Sequence, residues 1–162
     1  MKKSIILFIL IIILITGCAV ISVKNEQELN KPEIEMAEAK QVLDKYLNFL
    51  FTQQYEQALS YYGGDFAYLE QSNPDIKPEF KAKLLEHYCL LQKGICLKPM
   101  IINELVLSQN EYKFDVQYFN NDGSLYATPG CPCKGGGKNT FELRVKKDAL
   151  GKLMVFDLPP KE

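Results

Sequence analysis

The hydrophobic period of this chain changes once, near Pro99, and that switch limits the possible folds more than any composition does. Before it, apolar residues recur at steps of three and four. Between Glu33 and Leu50 they are Met36, Ala39, Leu43, Tyr46, Leu47 and Leu50, one face of an amphipathic helix. Tyr55, Ala58, Leu59 and Tyr62 predict a second helix stopped by Gly63-Gly64, with Thr52-Gln53-Gln54 as the joint between the two. The stretch through Ser72-Asn73-Pro74-Asp75 reads as turns. Pro78 to Gln92 predicts a third helix with Phe80, Leu84, Leu85, Tyr88 and Leu91 on one side, a cap at Asp75 or a neighbour, and Lys93-Gly94 at its end.

After Pro99 the period is two. Met100 to Ser108 is apolar and β-branched, and Tyr112, Phe114, Val116 and Tyr118 alternate with Lys113, Asp115 and Gln117, as a sheet with one covered face requires. Asn121-Asp122-Gly123 is a tight-turn signal leading into a strand at Leu125 to Thr128. Phe141, Leu143 and Val145 alternate with Glu142, Arg144 and Lys146, and a turn around Asp148 to Gly151 leads into Leu153 to Leu158. Two or three helices followed by four or five antiparallel strands make an α+β fold, with N-terminal helices packed on a curved sheet.

Two stretches carry a resemblance: Phe49 to Tyr62 (FLFTQQYEQALSYY) and the closing GKLMVFDLP at Gly151 to Pro159. In pattern and order, from about residue 36 to 159, the chain resembles the NTF2-like superfamily, cone-shaped domains whose N-terminal helix packs into a strongly bent antiparallel sheet. A cystatin-like α+β domain fits the same order of elements. The NTF2-like resemblance implies that any enzymatic work would take place at the open end of the cone. An Asp, His or Tyr would sit there among apolar side chains.

The amino terminus reads as an address. Lys2 and Lys3 precede an apolar run from Ile5 to Ile15, then Thr16, Gly17 and Cys18. As a helix that run covers about 16 Å, roughly half of a bilayer's hydrocarbon core. A cleaved export segment fits this pattern better than a membrane span. Leu14-Ile15-Thr16-Gly17-Cys18 resembles the bacterial lipobox. The resemblance implies that Cys18 receives a diacylglyceryl group, that cleavage follows Gly17, and that the domain is held at a membrane facing the periplasm or the cell exterior. The chain then divides into a signal peptide (1–17), a lipidated Cys with a polar tether (18–32) and the α+β domain (33–162). Fully extended, the tether reaches roughly 45 to 50 Å.

Charge removes one class of partner. The chain carries 19 Lys and Arg against 20 Asp and Glu, with Arg144 as its single arginine. Loss of Lys2 and Lys3 with the signal leaves 17 basic against 20 acidic residues. No basic footprint for nucleic acid results. Export permits disulfides, and Cys89, Cys96, Cys131 and Cys133 are the candidates. Cys131 and Cys133 have only Pro132 between them, too close for an unstrained bridge. The favoured arrangement ties Cys89 and Cys96 to the Cys131/Cys133 loop, with a Cys89 to Cys96 bridge as the next choice. A four-thiolate zinc site would need knuckle spacing that C-x6-C and C-x-C do not supply, and a redox pair would need an activating cation, for which only Lys134 is near in sequence.

No complete catalytic set is present. His87, the single histidine, falls beside the apolar face of the third helix and is expected on its solvated flank. Gly135-Gly136-Gly137-Lys138 fails the phosphate-loop pattern, because Pro132 stands where its first glycine belongs and Asn139 where Ser or Thr belongs. Asp115 lies mid-strand between Lys113 and Gln117, a solvated setting. Tyr46, Tyr55, Tyr62, Tyr112 and Tyr118 sit at core and rim spacing. The expectation is a non-enzymatic binding or assembly domain without metal or cofactor, whose partner is an envelope protein. The alternative is a carrier of a small apolar ligand, or an enzyme, using the cone interior.

Overall fold

The computed structural model describes residues 31–129 and 137–161. The chain divides between Glu35 and Met36 into two units, and the hydrophobic core belongs to the second. Helix α1 (Lys31–Phe51) buries Ala39, Leu43, Tyr46, Leu47 and Leu50, the face that the period of 3.6 marks out. It ends in a two-bond wrap: Gln53 N–H donates to Leu50 C=O at 3.1 Å and Gln54 N–H to Phe49 C=O at 2.7 Å. Gln53 takes the left-handed conformation at φ 59° that glycine usually supplies, at a cost of about 1 kcal/mol.

Helix α2 (Tyr55–Leu59) is shorter than its apolar pattern suggests. The reason lies in the sheet. Strand β4 (Leu153–Val155) takes the main chain of Tyr61 to Gly63 along its edge: Val155 N–H donates to Tyr61 C=O and Gly63 N–H to Val155 C=O, both at 2.8 Å. Those groups are therefore lost to the helix. Gly63 is small because a Cβ there would stand 2.7 Å from that of Met154. Helix α3 (Ala67–Ser72) occupies part of the stretch read as turns, and its Leu69 enters the core. Helix α4 (Lys81–Leu90) starts later than expected, with Phe80 at its N-cap and no side-chain cap, so Asp75 does not have the expected role. It buries Leu84, Leu85 and Tyr88.

The remaining strands are β1 (Lys98–Ser108), β2 (Glu111–Phe119) and β3 (Phe141–Lys147). With β4 they form a four-stranded antiparallel sheet in chain order, β1-β2-β3-β4, which is not closed. The expected strand at Leu125 to Thr128 reduces to one bridge between Phe119 and Leu125. The last strand stops at Val155 because the Asp157 carboxylate takes over pairing with β3. It accepts from Arg144 N–H at 2.8 Å and from the Arg144 guanidinium at 3.0 and 2.8 Å.

The core lies between the helices and one face of the sheet. Tyr112, Phe114, Val116 and Tyr118 of β2 meet Phe141, Leu143 and Val145 of β3, and α1, α2 and α4 close over them. Among the described residues no helix is long and apolar enough to cross a membrane.

Candidate functional site

The turn after α4 decides the cysteine chemistry. Leu91 and Gln92 both donate to the His87 carbonyl, Lys93 turns at φ 60°, and Gly94 N–H reaches back to the Tyr88 carbonyl at 3.0 Å. The chain reverses over the last helical turn and brings the Cα atoms of Cys89 and Cys96 to 5.5 Å, where they are disulfide-bonded. This corrects the favoured expectation that both cysteines cross-link to the Cys131/Cys133 loop. Cys18, Cys131 and Cys133 lie outside the described residues. With Cys89 and Cys96 bonded to each other, a four-thiolate metal site has lost half its ligands.

A bridge of sequence separation 7 closes a short loop, and the chain-entropy estimate for it is about 2–3 kcal/mol. Replacing both cysteines, C89S with C96S, is expected to lower the unfolding free energy by about that amount, read from the urea midpoint at constant slope.

His87 is half-buried, not on a solvated flank. Its Nδ1 lies 3.2 Å from Oδ1 of Asn73, the buried polar residue of the described core. Asn73 Nδ2 also donates to the Leu69 carbonyl at 2.7 Å, and Gln92 Nε2 donates to the same Oδ1 at 2.9 Å. Asn73 thus ties α3 to α4 and to the turn behind it. The histidine's partner is an amide, so the carboxylate that would orient a general base is missing from this contact. Asp115 stands on the outer face of β2 and accepts from Asn103 Nδ2 at 3.1 Å, while its neighbour Lys113 pairs with Glu142 at 3.0 Å.

Seven of the nine tyrosines are buried. Tyr46 stacks on Tyr62 with ring centroids 5.8 Å apart, and Phe66 meets Tyr62 edge-on at 5.1 Å. Tyr62 O–H donates to the Asp65 carbonyl and Tyr88 O–H to the Pro159 carbonyl. The hydroxyls of Tyr46 and Tyr118 have no hydrogen-bond partner among the described residues. Burial pushes the phenols of Tyr46, Tyr62 and Tyr118 up, and that of Tyr88 to about 12, so all four stay neutral at physiological pH.

Phe51 borders two clefts, and a third, of about 610 Å³, opens among Tyr55, Glu56, Ala82, Lys83 and Glu86. The first, about 340 Å³, lies against the disulfide and is lined by Leu50, Tyr55, Ile95 and Tyr126 among others. The second, about 450 Å³, is formed by Phe51, Pro99, Met100, Phe119 and Asn120 with Lys98 at its edge. No carboxylate or histidine lines either one. The second is the more apolar of these two, and the carboxylates of Glu56 and Glu86 line the third cleft.

Strand β1 is the larger feature. Register places Pro99, Ile101, Glu104 and Val106 on the core face, opposite Tyr118, Val116, Phe114 and Tyr112. Lys98, Met100, Asn103, Leu105 and Ser108 lie on the outer face, and bulges insert Ile102 and Leu107. The helical layer stops short of the strand: Tyr112 is 1% exposed, whereas Val106 beside it is 46% exposed. Met100, Ile102, Leu105 and Leu107 are equally open, at 44–48%. Helix α1 meets β1 through a salt bridge from Lys40 to Glu104 at 3.0 Å and, at its C-terminal end, through Phe51 beside Pro99 and Met100.

The sequence predicts a sheet with one covered face and does not mark this strand as open on both. The missed signal is its lack of alternation. Met100 to Leu107 is apolar at positions of both parities, which a strand in a one-layer sheet cannot bury. Comparison with protein-family models, with curated proteins and with solved structures finds no match.

Proposed function

We propose that this chain is a lipid-anchored extracytoplasmic protein of the bacterial envelope whose NTF2-like domain is non-enzymatic and assembles with another polypeptide strand along β1. The anchor reading rests on Leu14 to Cys18 and its resemblance to the lipobox. The assembly reading is carried by one observation, the open aliphatic edge of β1 beside a core that is already filled. Contiguous exposed apolar surface of several hundred Å² marks a contact site on a soluble domain. An edge strand adds main-chain donors and acceptors that a second strand satisfies. The second cleft continues this surface at Met100, giving the edge a socket at its Lys98 end.

The test uses the full chain extracted from membranes in mild detergent. The unsubstituted protein is expected to migrate as a complex larger than one chain, and L105K with V106K to migrate at the mass of one. Both side chains are half open, so the circular dichroism spectrum should stay unchanged. A wild-type protein that migrates as a single chain would contradict the assembly reading.

A further inference from the structure

We infer that the strand completing this edge is β1 of a second copy, paired antiparallel across a two-fold axis at Asn103. The inference rests on the reading of β1 as the assembly edge and names what occupies it. The opposite edge of the sheet is not equivalent, since β4 is lined by the main chain of Tyr61 to Gly63.

Symmetry and register together select the pairing. In a two-fold antiparallel pair, residues that oppose each other share a face, so the axis passes through one residue of each strand. The bulges at Ile102 and Leu107 fix which residues share a face. With the axis at Asn103, Met100 opposes Leu105 twice on the outer face, and Pro99 opposes Val106 twice on the core face. Lys98 then meets Ser108, and the two Asn103 amides meet each other. The full length of β1, Lys98 to Ser108, is paired in this register. Moving the axis to Glu104 sets carboxylate against carboxylate. Moving it to Ile101 leaves Val106 and Ser108 without partners.

Charge and area agree with this register. Glu104 comes opposite Ile101 of the second copy, but its carboxylate is already held by Lys40 at 3.0 Å, and the Lys98 ammonium lies exposed at the two ends of the seam, so no uncompensated charge enters its interior. The five aliphatic side chains contribute several hundred Å² per copy. An 11-residue seam adds its main chain, bringing the pair to the lower end of specific interfaces, about 1,200 Å² in total. The product is one continuous eight-stranded sheet.

The experiment is N103C in the full chain, in detergent, under mild oxidation. Directly opposed residues place their Cα atoms about 4.5–5.5 Å apart, within reach of a disulfide. Most of the protein is expected to run at twice the chain mass without reductant, with the cross-linked peptide joining position 103 to position 103. K113C, one strand inward on the same face, is expected to stay at single mass. Sedimentation of the unsubstituted chain should give twice the single-chain mass independently of any substitution. A complex that depends on Leu105 and Val106 but contains a different polypeptide overturns this inference and leaves the assembly edge standing. A single chain in every measurement overturns both.

Discussion

Phe114→Ala is expected to remove about 3–5 kcal/mol of stability, the range for deleting a buried aromatic ring. Phe114 is fully buried at the middle of β2, with Glu104 and Leu143 beside it in register. Its neighbours on the sheet are held by ladder hydrogen bonds, so the hole left by the ring collapses only in part. A domain of this size is stable by about 5–15 kcal/mol in total, and the variant therefore approaches the threshold of folding. The urea midpoint should fall sharply while the slope stays constant. Leu150→Ala is the control. Leu150 is 93% exposed at the β3–β4 turn, and its loss should change stability by no more than about 0.5 kcal/mol.

The contrast between these two leucine and phenylalanine positions also shows what periodicity can and cannot reveal. The stripe Ala39, Leu43, Tyr46, Leu47 and Leu50 and the alternation Tyr112, Phe114, Val116 and Tyr118 are all buried, because each pattern permits one buried face in one type of element. The limits of α2 were hidden because Tyr61 to Gly63 bond to β4, a contact about ninety residues away in the chain that no local pattern records. His87 was misplaced for a similar reason. Its flank of α4 faces Asn73, whose position depends on the unforeseen helix α3. The cysteine pattern left both a tie to the Cys131/Cys133 loop and a Cys89–Cys96 bridge open, and the Cys89–Cys96 bond depends on the left-handed turn at Lys93, where the residue type gives no glycine signal. The one sign of the open face of β1 in the sequence is that Met100 to Leu107 is apolar at positions of both parities, interrupted only by Asn103-Glu104. Only the reach of the helical layer decides whether such a strand is covered.

The second large effect concerns the anchor. On the proposed reading, Cys18→Ser abolishes acylation completely, since serine offers no thiol to accept the lipid. Each buried methylene contributes about 0.8 kcal/mol, so two or three acyl chains hold a domain at a membrane where a single chain of myristoyl length binds only marginally. In cells given labelled fatty acid, the unsubstituted chain should carry the label, and the variant should carry none and retain residues 1–17. On the same reading, attachment to a membrane would confine copies to a surface and raise their effective concentration for pairing along β1.

The intact mass of the chain purified from its host's membranes tests that claim most directly. The account predicts a polypeptide that begins at Cys18, lacks residues 1–17 and carries two or three acyl chains, with two fewer thiol hydrogens for the Cys89–Cys96 bridge. A polypeptide that begins at Met1, carries no acyl group and keeps every cysteine as a free thiol would contradict it.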